Sequence, residues 1–215
     1  MNALELVNAL RLRLRQKPAT ALDQDTYTEL LLALVNQAKD RVEEAWRWEA
    51  LRTTLSVGTV AGNFSYTLAG SNDRTQVLRV WDATNTGEIP RATYAELSRL
   101  LRTDATPGAV RRWGLNGQDS ATRAWVIEFW PVPDGTQTLL VDIYQPQEAL
   151  ADEADVLAVP SHLVLLGALS LAREERGEEP MAIQAATDAA ERALGRAIAS
   201  EANSRFDDEI TWVPA

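Results

Sequence analysis

The chain has 215 residues, of which 46% are hydrophobic and 24% are charged, values typical of soluble globular proteins and not of disordered or membrane proteins. Its formal net charge of -10 disfavours a protein whose main task is to hold nucleic acid, because such proteins neutralise phosphates with Lys and Arg. It has no cysteine, which excludes disulfides, thiolate metal sites and cysteine nucleophiles.

The first 50 residues predict two helices. Residues 2–16 carry Leu4, Val7, Leu10 and Leu14 at helical spacing and end at Lys17-Pro18. Charged residues interrupt the leucines here, so we expect neither a signal peptide nor a membrane anchor. A second, longer helix is predicted from about Thr26 to Trp48, with Thr26 and Glu29 as a capping box.

The middle of the chain predicts short strands and one short helix. Its strand-like segments are rich in Thr, Val and aromatic residues: LRTTLSVGTV, FSYTL, TQVLRVWDATN, AVRRWGL, RAWVIEFW and TLLVDIYQ. The helix is predicted at residues 93–102. Turns are predicted at Asn116-Gly117 and Asp134-Gly135.

The stretch EFWPVPDGTQTLLVDIYQP, residues 128–146, predicts a β-hairpin. Each of its strands has one apolar face, formed by Trp125, Ile127 and Phe129 and by Leu139, Val141 and Ile143. Pro131 and Pro133 cannot donate ladder hydrogen bonds, so they should end the first strand, and Asp134-Gly135 should form the turn.

The region after Pro146 predicts two more helices. Pro160 suits a helix start, and the apolar run at residues 163–172 indicates a buried helix. A last helix is predicted at about 181–203, followed by an extended tail. The predicted fold is therefore α+β, with a helical bundle from residues 1–50 and 148–205, an inserted antiparallel β domain at 51–147 and a tail at 206–215.

Residues that could carry catalysis are sparse. His162 is the only histidine and has no partner for a metal site or a dyad. Carboxylates cluster in two places, but neither cluster has the spacing of a calcium loop. The clustered residues are Glu148, Asp152, Glu153, Asp155, Asp207, Asp208 and Glu209. The sequence also contains no glycine-rich nucleotide-binding motif. Arg111-Arg112-Trp113 could suit nucleic acid or a carboxylate surface, but an isolated pair on a strand is more typical of a rim contact or salt bridge. We expect no enzyme activity, cofactor or metal.

The seven tryptophans are mostly predicted to be core residues. Trp212 differs, because it follows three acidic residues in the predicted tail. It should dock on its own domain or anchor to another chain, as interface aromatics often do. The candidate partner contacts are therefore Phe206, Asp207, Asp208, Ile210, Trp212 and Val213.

Several motifs together resemble one known family. Four of them follow one another in the C-terminal half: Trp-Pro-x-Pro-Asp-Gly at 130–135, a strand ending in Tyr144-x-Pro146, an acidic linker at 152–155, and Val159-Pro160 opening an apolar helix. Three more lie in the N-terminal half: Leu6-Val7-Asn8, YTELLLALVN and Trp48. This order resembles the head-to-tail adaptor (connector) proteins of tailed bacteriophages, including the tail tubular protein A type of short-tailed phages.

The resemblance implies a structural virion protein without catalytic residues. It implies a homo-oligomeric ring, usually of twelve copies, in the virion neck, bound to the portal protein and to a downstream tail or nozzle/terminator protein. DNA would pass through the lumen without specific binding. We expect an acidic lumen, since like charge keeps the passing polymer from sticking.

Two alternatives remain open from the residues. One is a tail-completion or terminator ring, one layer further from the portal. The other is a carbohydrate-binding or hydrolytic tail component, with Trp113, Trp125 or Trp130 as a sugar platform beside Asp134.

Overall fold

The structure is a computed structural model that describes residues 1–104 and 106–209, with side chains described up to residue 204. In order along the chain, its elements are α1 (Ala3–Arg13), α2 (Thr26–Ala45), β1 (Arg52–Gly58), β2 (Ser65–Thr67), β3 (Gln76–Asp82), β4 (Gly87–Ile89), α3 (Tyr94–Thr103), β5 (Arg112–Gln118), β6 (Trp125–Trp130), β7 (Thr138–Tyr144), α4 (Ser161–Glu175) and α5 (Pro180–Glu209). The predicted α+β class is confirmed.

The chain divides into two compact units. One unit, the helical unit, combines Met1–Ala50 with the chain from Gln147 onward, and the other, the sandwich unit, is Leu51–Pro146. The helical unit contains α1, α2, α4 and α5, and the sandwich unit contains α3 and β1 to β7.

In the helical unit, α4 packs against α1, α2 and α5. Its predicted burial is confirmed for one broad face, formed by Leu163, Val164, Leu165, Ala168, Leu171 and Ala172. A Cβ atom at Gly167 would lie 3.2 Å from the Cβ atom of Ala38, so α2 and α4 approach each other closely at this point.

The start of α2 differs from the predicted capping box. Asp25, not Thr26, is the N-cap residue, and its carboxylate accepts a 2.7 Å hydrogen bond from the amide of Thr28. Asp25 has the extended backbone that an N-cap requires, whereas Thr26 is already helical. A true capping box instead begins α1, where Asn2 and Glu5 exchange side-chain to backbone hydrogen bonds of 2.8 and 2.9 Å.

The sandwich unit has two antiparallel sheets around one core. The strand orders are β1-β7-β3-β4 and β2-β6-β5. Both sheets contribute apolar side chains to this core, among them Val80, Trp113, Ile127, Phe129, Leu139, Val141 and Ile143. Helix α3 packs on β5 and β6, where its Leu97 lies over Gly114 and the Trp130 indole donates to the carbonyl of Asp104.

The predicted hairpin of residues 128–146 is wrong. β6 pairs with β2 and β5, whereas β7 pairs with β1 and β3, so the Pro131–Gly135 connection leads from one sheet to the other. An apolar face on each strand suits two facing sheets as well as it suits one hairpin, because alternation specifies the buried face and not the pairing partner.

Asn116-Gly117 does not form the predicted turn. Both residues lie inside β5, where the register with β6 shifts between Leu115 and Gln118 and Gly117 has a φ of 74°. This is a β-bulge, and glycine tolerates its left-handed conformation. The reversal into β6 follows, where Asp119 accepts hydrogen bonds from the amides of Ala121 and Thr122.

The predicted extended tail begins too early. α5 continues through residues 206–209 to end at Glu209, since the sequence has no Gly or Pro between Gly195 and Pro214 that would end a helix sooner. Residues 210–215 lie outside the described residues.

Candidate interaction surfaces

Side chains that commonly hold metals are not gathered in the part of the chain that the structure describes. No three His, Asp or Glu side chains within it could hold a metal ion together. His162 is exposed in the first turn of α4. No described helix combines the length and the apolar character that a bilayer span requires.

The acidic linker at residues 152–155 contains a carboxylate that binds the backbone of the same segment. The Asp155 carboxylate accepts 2.8 Å hydrogen bonds from the amides of Ala151 and Asp152, which hold its pKa below the ordinary range. Asp155 therefore stabilises a turn. Asp152 and Glu153 remain exposed.

Trp113 cannot serve as a platform for a sugar or a base, because it is 1% exposed. Its indole donates to the carbonyl of Ile89 at 2.9 Å, and the Arg91 guanidinium lies 5.3 Å from its ring centroid. Trp125 and Trp130 are half-buried, and Trp125 packs against the sandwich core. The aromatic residues proposed for a sugar platform thus serve mainly to pack the sandwich unit.

Trp81 departs from the expectation that most of the tryptophans are core residues. It is 40% exposed, because β3 turns Val80 inward and Trp81 outward. Leu78 is 37% exposed on the same strand, and Leu140 pairs across from Trp81. The outer face of the four-stranded sheet therefore presents an apolar surface.

Beside this apolar surface lies an ion network around Asp142. Its carboxylate accepts hydrogen bonds from Thr54 and Arg79, both at 2.6 Å, and Arg52 lies 3.7 Å away. Burial raises the pKa of Asp142, but the hydrogen bonds and the two cations outweigh burial, so the pKa falls below its ordinary value.

Three polar residues on one face of α2 hold the chain where it returns to the helical unit. Lys39 Nζ donates to the Gln147 carbonyl at 2.6 Å and lies 3.5 Å from Glu43, which accepts from the Gln147 amide at 3.2 Å. The Asn36 side chain both donates to and accepts from the backbone of Leu150. Their spacing of three and four residues places them on the apolar face of α2, and this spacing is the sequence signal that could have identified them.

Charge is divided unequally between the two units. The sandwich unit has nine basic and nine acidic residues and no net charge, whereas the helical unit has 12 basic and 22 acidic residues and carries the whole charge of -10. The two units thus present electrostatically different surfaces to any partner.

The predicted partner contacts at the C-terminus fall at the edge of what the structure describes. Phe206, Asp207 and Asp208 belong to the last turn of α5, whose side chains lie outside the described part. Ile210, Trp212 and Val213 lie outside the described residues altogether.

Comparison with protein families places the chain beside a known one. A family model described as SU10 adaptor protein matches residues 1–211, and so extends over both units. No protein of curated function matches the chain.

Proposed function

The chain belongs to the SU10 adaptor protein family, a family of phage adaptors, and from this we propose that it is a structural virion protein forming a ring between the portal and the tail. The observation that carries the proposal is the match over residues 1–211. The described residues give it physical support, since they offer exposed surfaces for partners.

The proposed ring contains twelve copies in the virion neck, with the portal protein on one side and a downstream tail or nozzle/terminator protein on the other. We expect it to be of the tail tubular protein A type found in short-tailed phages. DNA passes through its lumen during genome ejection without being specifically bound.

An acidic lumen is part of this proposal. The helical unit carries the whole net charge of -10, so a channel lined by this unit would repel the phosphates of passing DNA. A ring in which Arg and Lys predominate along the channel would contradict it.

Reconstitution tests the proposed function directly. The purified protein is mixed with purified portal and the products are measured by native mass spectrometry and electron microscopy. We expect closed rings seated on the portal. A monomer that binds no portal at any concentration would contradict the adaptor role. Rings that form without binding portal would instead indicate a terminator one layer further along the tail.

The C-terminal segment is the proposed portal contact, because Trp212 follows Asp207, Asp208 and Glu209. Deleting residues 206–215 should abolish attachment to the portal while circular dichroism and thermal unfolding stay close to those of the full chain. A shortened protein that attaches as well as the full chain would refute this contact.

A further inference from the structure

Five arginines concentrate in one short segment of the sandwich unit. Residues 91–112 contain these five basic residues and only two acidic ones, Glu96 and Asp104; the arginines are Arg91, Arg99, Arg102, Arg111 and Arg112. All except the half-buried Arg112 are exposed. We call them the arginine cluster.

The fold gathers this segment around the contact between α3 and β5. The backbone at Arg91 bridges to Trp113, and the Arg91 guanidinium lies over the Trp113 ring. Arg112 pairs with Trp130 in the sheet, and the Trp130 indole donates to Asp104 at the end of α3, one turn beyond Leu100. Helix α3, which carries Arg99 and Arg102, therefore ends beside the start of β5, which carries Arg112.

None of these five guanidinium groups forms an ion pair with a side chain that the structure describes, although the sequence has 31 acidic residues. Elsewhere in the same unit Arg79 pairs with Asp142 and Arg123 with Asp73. Five arginines against two acidic residues leave residues 91–112 with a formal charge of +3, and such a local excess of one sign is electrostatically unfavourable within one molecule. The cluster is therefore suited to an anion supplied by another molecule.

The residue type narrows the choice of anion. Of the 21 basic residues in the chain, only Lys17 and Lys39 are lysines. The planar guanidinium forms two parallel hydrogen bonds with a carboxylate, which makes arginine the preferred cation at protein interfaces. A carboxylate surface is favoured over DNA, because the net charge of -10 opposes the approach of a polyanion.

The helical unit contains a matching acidic surface at the turn from α4 to α5. Glu174, Glu175 and Glu179 are exposed there, whereas Glu178 is paired with Arg173 and Arg176 at 3.6 Å. Glu174 and Glu175 lie in the last turn of α4, where the helix dipole disfavours negative charge. A cation from outside the molecule would relieve this local repulsion.

We propose that the arginine cluster of one copy binds the acidic α4–α5 turn of the next copy, an inference that rests on the ring of the proposed function. Such a contact uses two different surfaces of the same chain. Head-to-tail contacts of this kind close into rings when the rotation between copies allows it. The surplus negative charge of each helical unit then attracts its neighbour instead of only repelling it.

A charge swap tests the contact. The variant Arg99→Glu/Arg102→Glu alters two exposed positions of α3 and should weaken ring assembly about tenfold or more, as measured by sedimentation and native mass spectrometry with portal present. Adding Glu174→Arg/Glu175→Arg to the same chain restores opposite charges across the interface and should return assembly to within about threefold of the unmodified protein.

The matched control, Arg13→Glu/Arg41→Glu, changes the net charge equally at exposed sites outside the cluster and should assemble normally.

The outcomes separate this inference from the proposed function. If the unmodified protein forms no ring with portal, the proposed function fails. If it forms rings and the Arg99→Glu/Arg102→Glu variant does so equally well, or if the control assembles as poorly as that variant, the ring stands and this contact is overturned.

Failure of the swap to restore assembly also overturns the contact. In that case, fluorescence anisotropy with a labelled duplex DNA tests whether the cluster binds the phosphates of DNA instead of a carboxylate surface. Salt-sensitive DNA binding that the Arg99→Glu/Arg102→Glu variant loses would assign the cluster to phosphate.

Discussion

Lys39 and Glu43 form an ion pair whose side chains are both 0% exposed. Charges buried to this degree are tolerated only when other groups satisfy them, and here the backbone of Gln147 satisfies both. The pair therefore has a structural task, which is to hold the returning chain against α2.

Lys39→Met should lower the free energy of unfolding by about 3 to 5 kcal/mol, because Glu43 stays buried without its cation and the Gln147 carbonyl loses its donor. Urea unfolding followed by circular dichroism measures the loss. Asp40→Asn is the control, since Asp40 lies 3.1 Å from Lys39 with a side chain that is 46% exposed, and should cost less than about 1 kcal/mol. Equal losses for the two variants would show that the buried pair has no special role.

Asp142 makes stability dependent on pH in a defined direction. Its pKa is depressed in the folded state, so its contribution is fully present above the unfolded pKa of about 3.9 and is lost as the pH falls through the lower folded value. Asp142→Asn should therefore destabilise the protein by about 1 to 2 kcal/mol at pH 7. The difference from the unmodified protein should shrink as the pH falls below 4. Urea titrations at pH 7, 5 and 3 measure it, with the exposed Asp134→Asn as control; a difference independent of pH would contradict the assignment.

At the scale of single elements, the close packing of α3 on the sheet depends on Gly114, which has no side chain. A Cβ atom at Gly114 would lie 3.1 Å from Leu97 Cδ2 and 3.3 Å from the carbonyl oxygen of Ala92, closer than most such contacts. Glycine in this strand thus lets the helix sit directly on the sheet. The position of Arg99 and Arg102 follows from the same contact.

Gly114→Val should displace α3 and destabilise the protein by about 1 to 3 kcal/mol, as overpacking usually does. Gly58→Val is a matched control in another strand, because nothing lies within 4 Å of its added Cβ atom and valine suits a strand. Urea unfolding of the two variants compares them. If Gly114→Val were as stable as Gly58→Val, close packing would not be what holds α3 on the sheet.

The elements themselves were largely predictable, whereas their partners were not. Alternation correctly identified Ile127, Leu139 and Val141 as buried, because the period of a strand determines its inward face. It did not identify which strand lies beside which, and so two strands of facing sheets were interpreted as one hairpin. Trp81 shows the same gap, since its apolar side chain suggested core although its strand turns it outward.

The candidate surfaces were less predictable than the fold. The interpretation of Arg111-Arg112-Trp113 as an isolated pair missed the cluster. Arg91 comes to β5 through its bridge to Trp113, and Arg99 and Arg102 come to it through the packing of α3 on β5. Proximity of this kind depends on tertiary structure and leaves no fixed spacing in the sequence. The family resemblance rested instead on turn and packing motifs, which are local and therefore visible in the sequence.

At the scale of the whole molecule, the two units differ in composition, charge and core. The sandwich unit closes its own hydrophobic core from both sheets, and its two ends lie together, since Arg52 pairs with Tyr144 and the Gln145 amide donates to Leu51 at 2.8 Å. A charge of -10 on one unit and none on the other fits separate tasks within one assembly. That the two are independent domains stays a prediction, which excision tests.

Residues 51–146, expressed alone, should fold into a β-rich protein that unfolds cooperatively in urea. The helical unit should fold as well when residues 50 and 147 are joined by about three or four Gly and Ser residues, because paired antiparallel residues are only about 5 Å apart. Their circular dichroism spectra should add up to that of the full chain.

Only the helical unit should bind strongly to an anion exchanger at pH 7, given its charge of -10. Val141→Asp in the excised sandwich unit should abolish its cooperative transition, since Val141 is fully buried in the core. An excised sandwich unit that stays unfolded would show that its core needs the helices, and the chain would then be one domain.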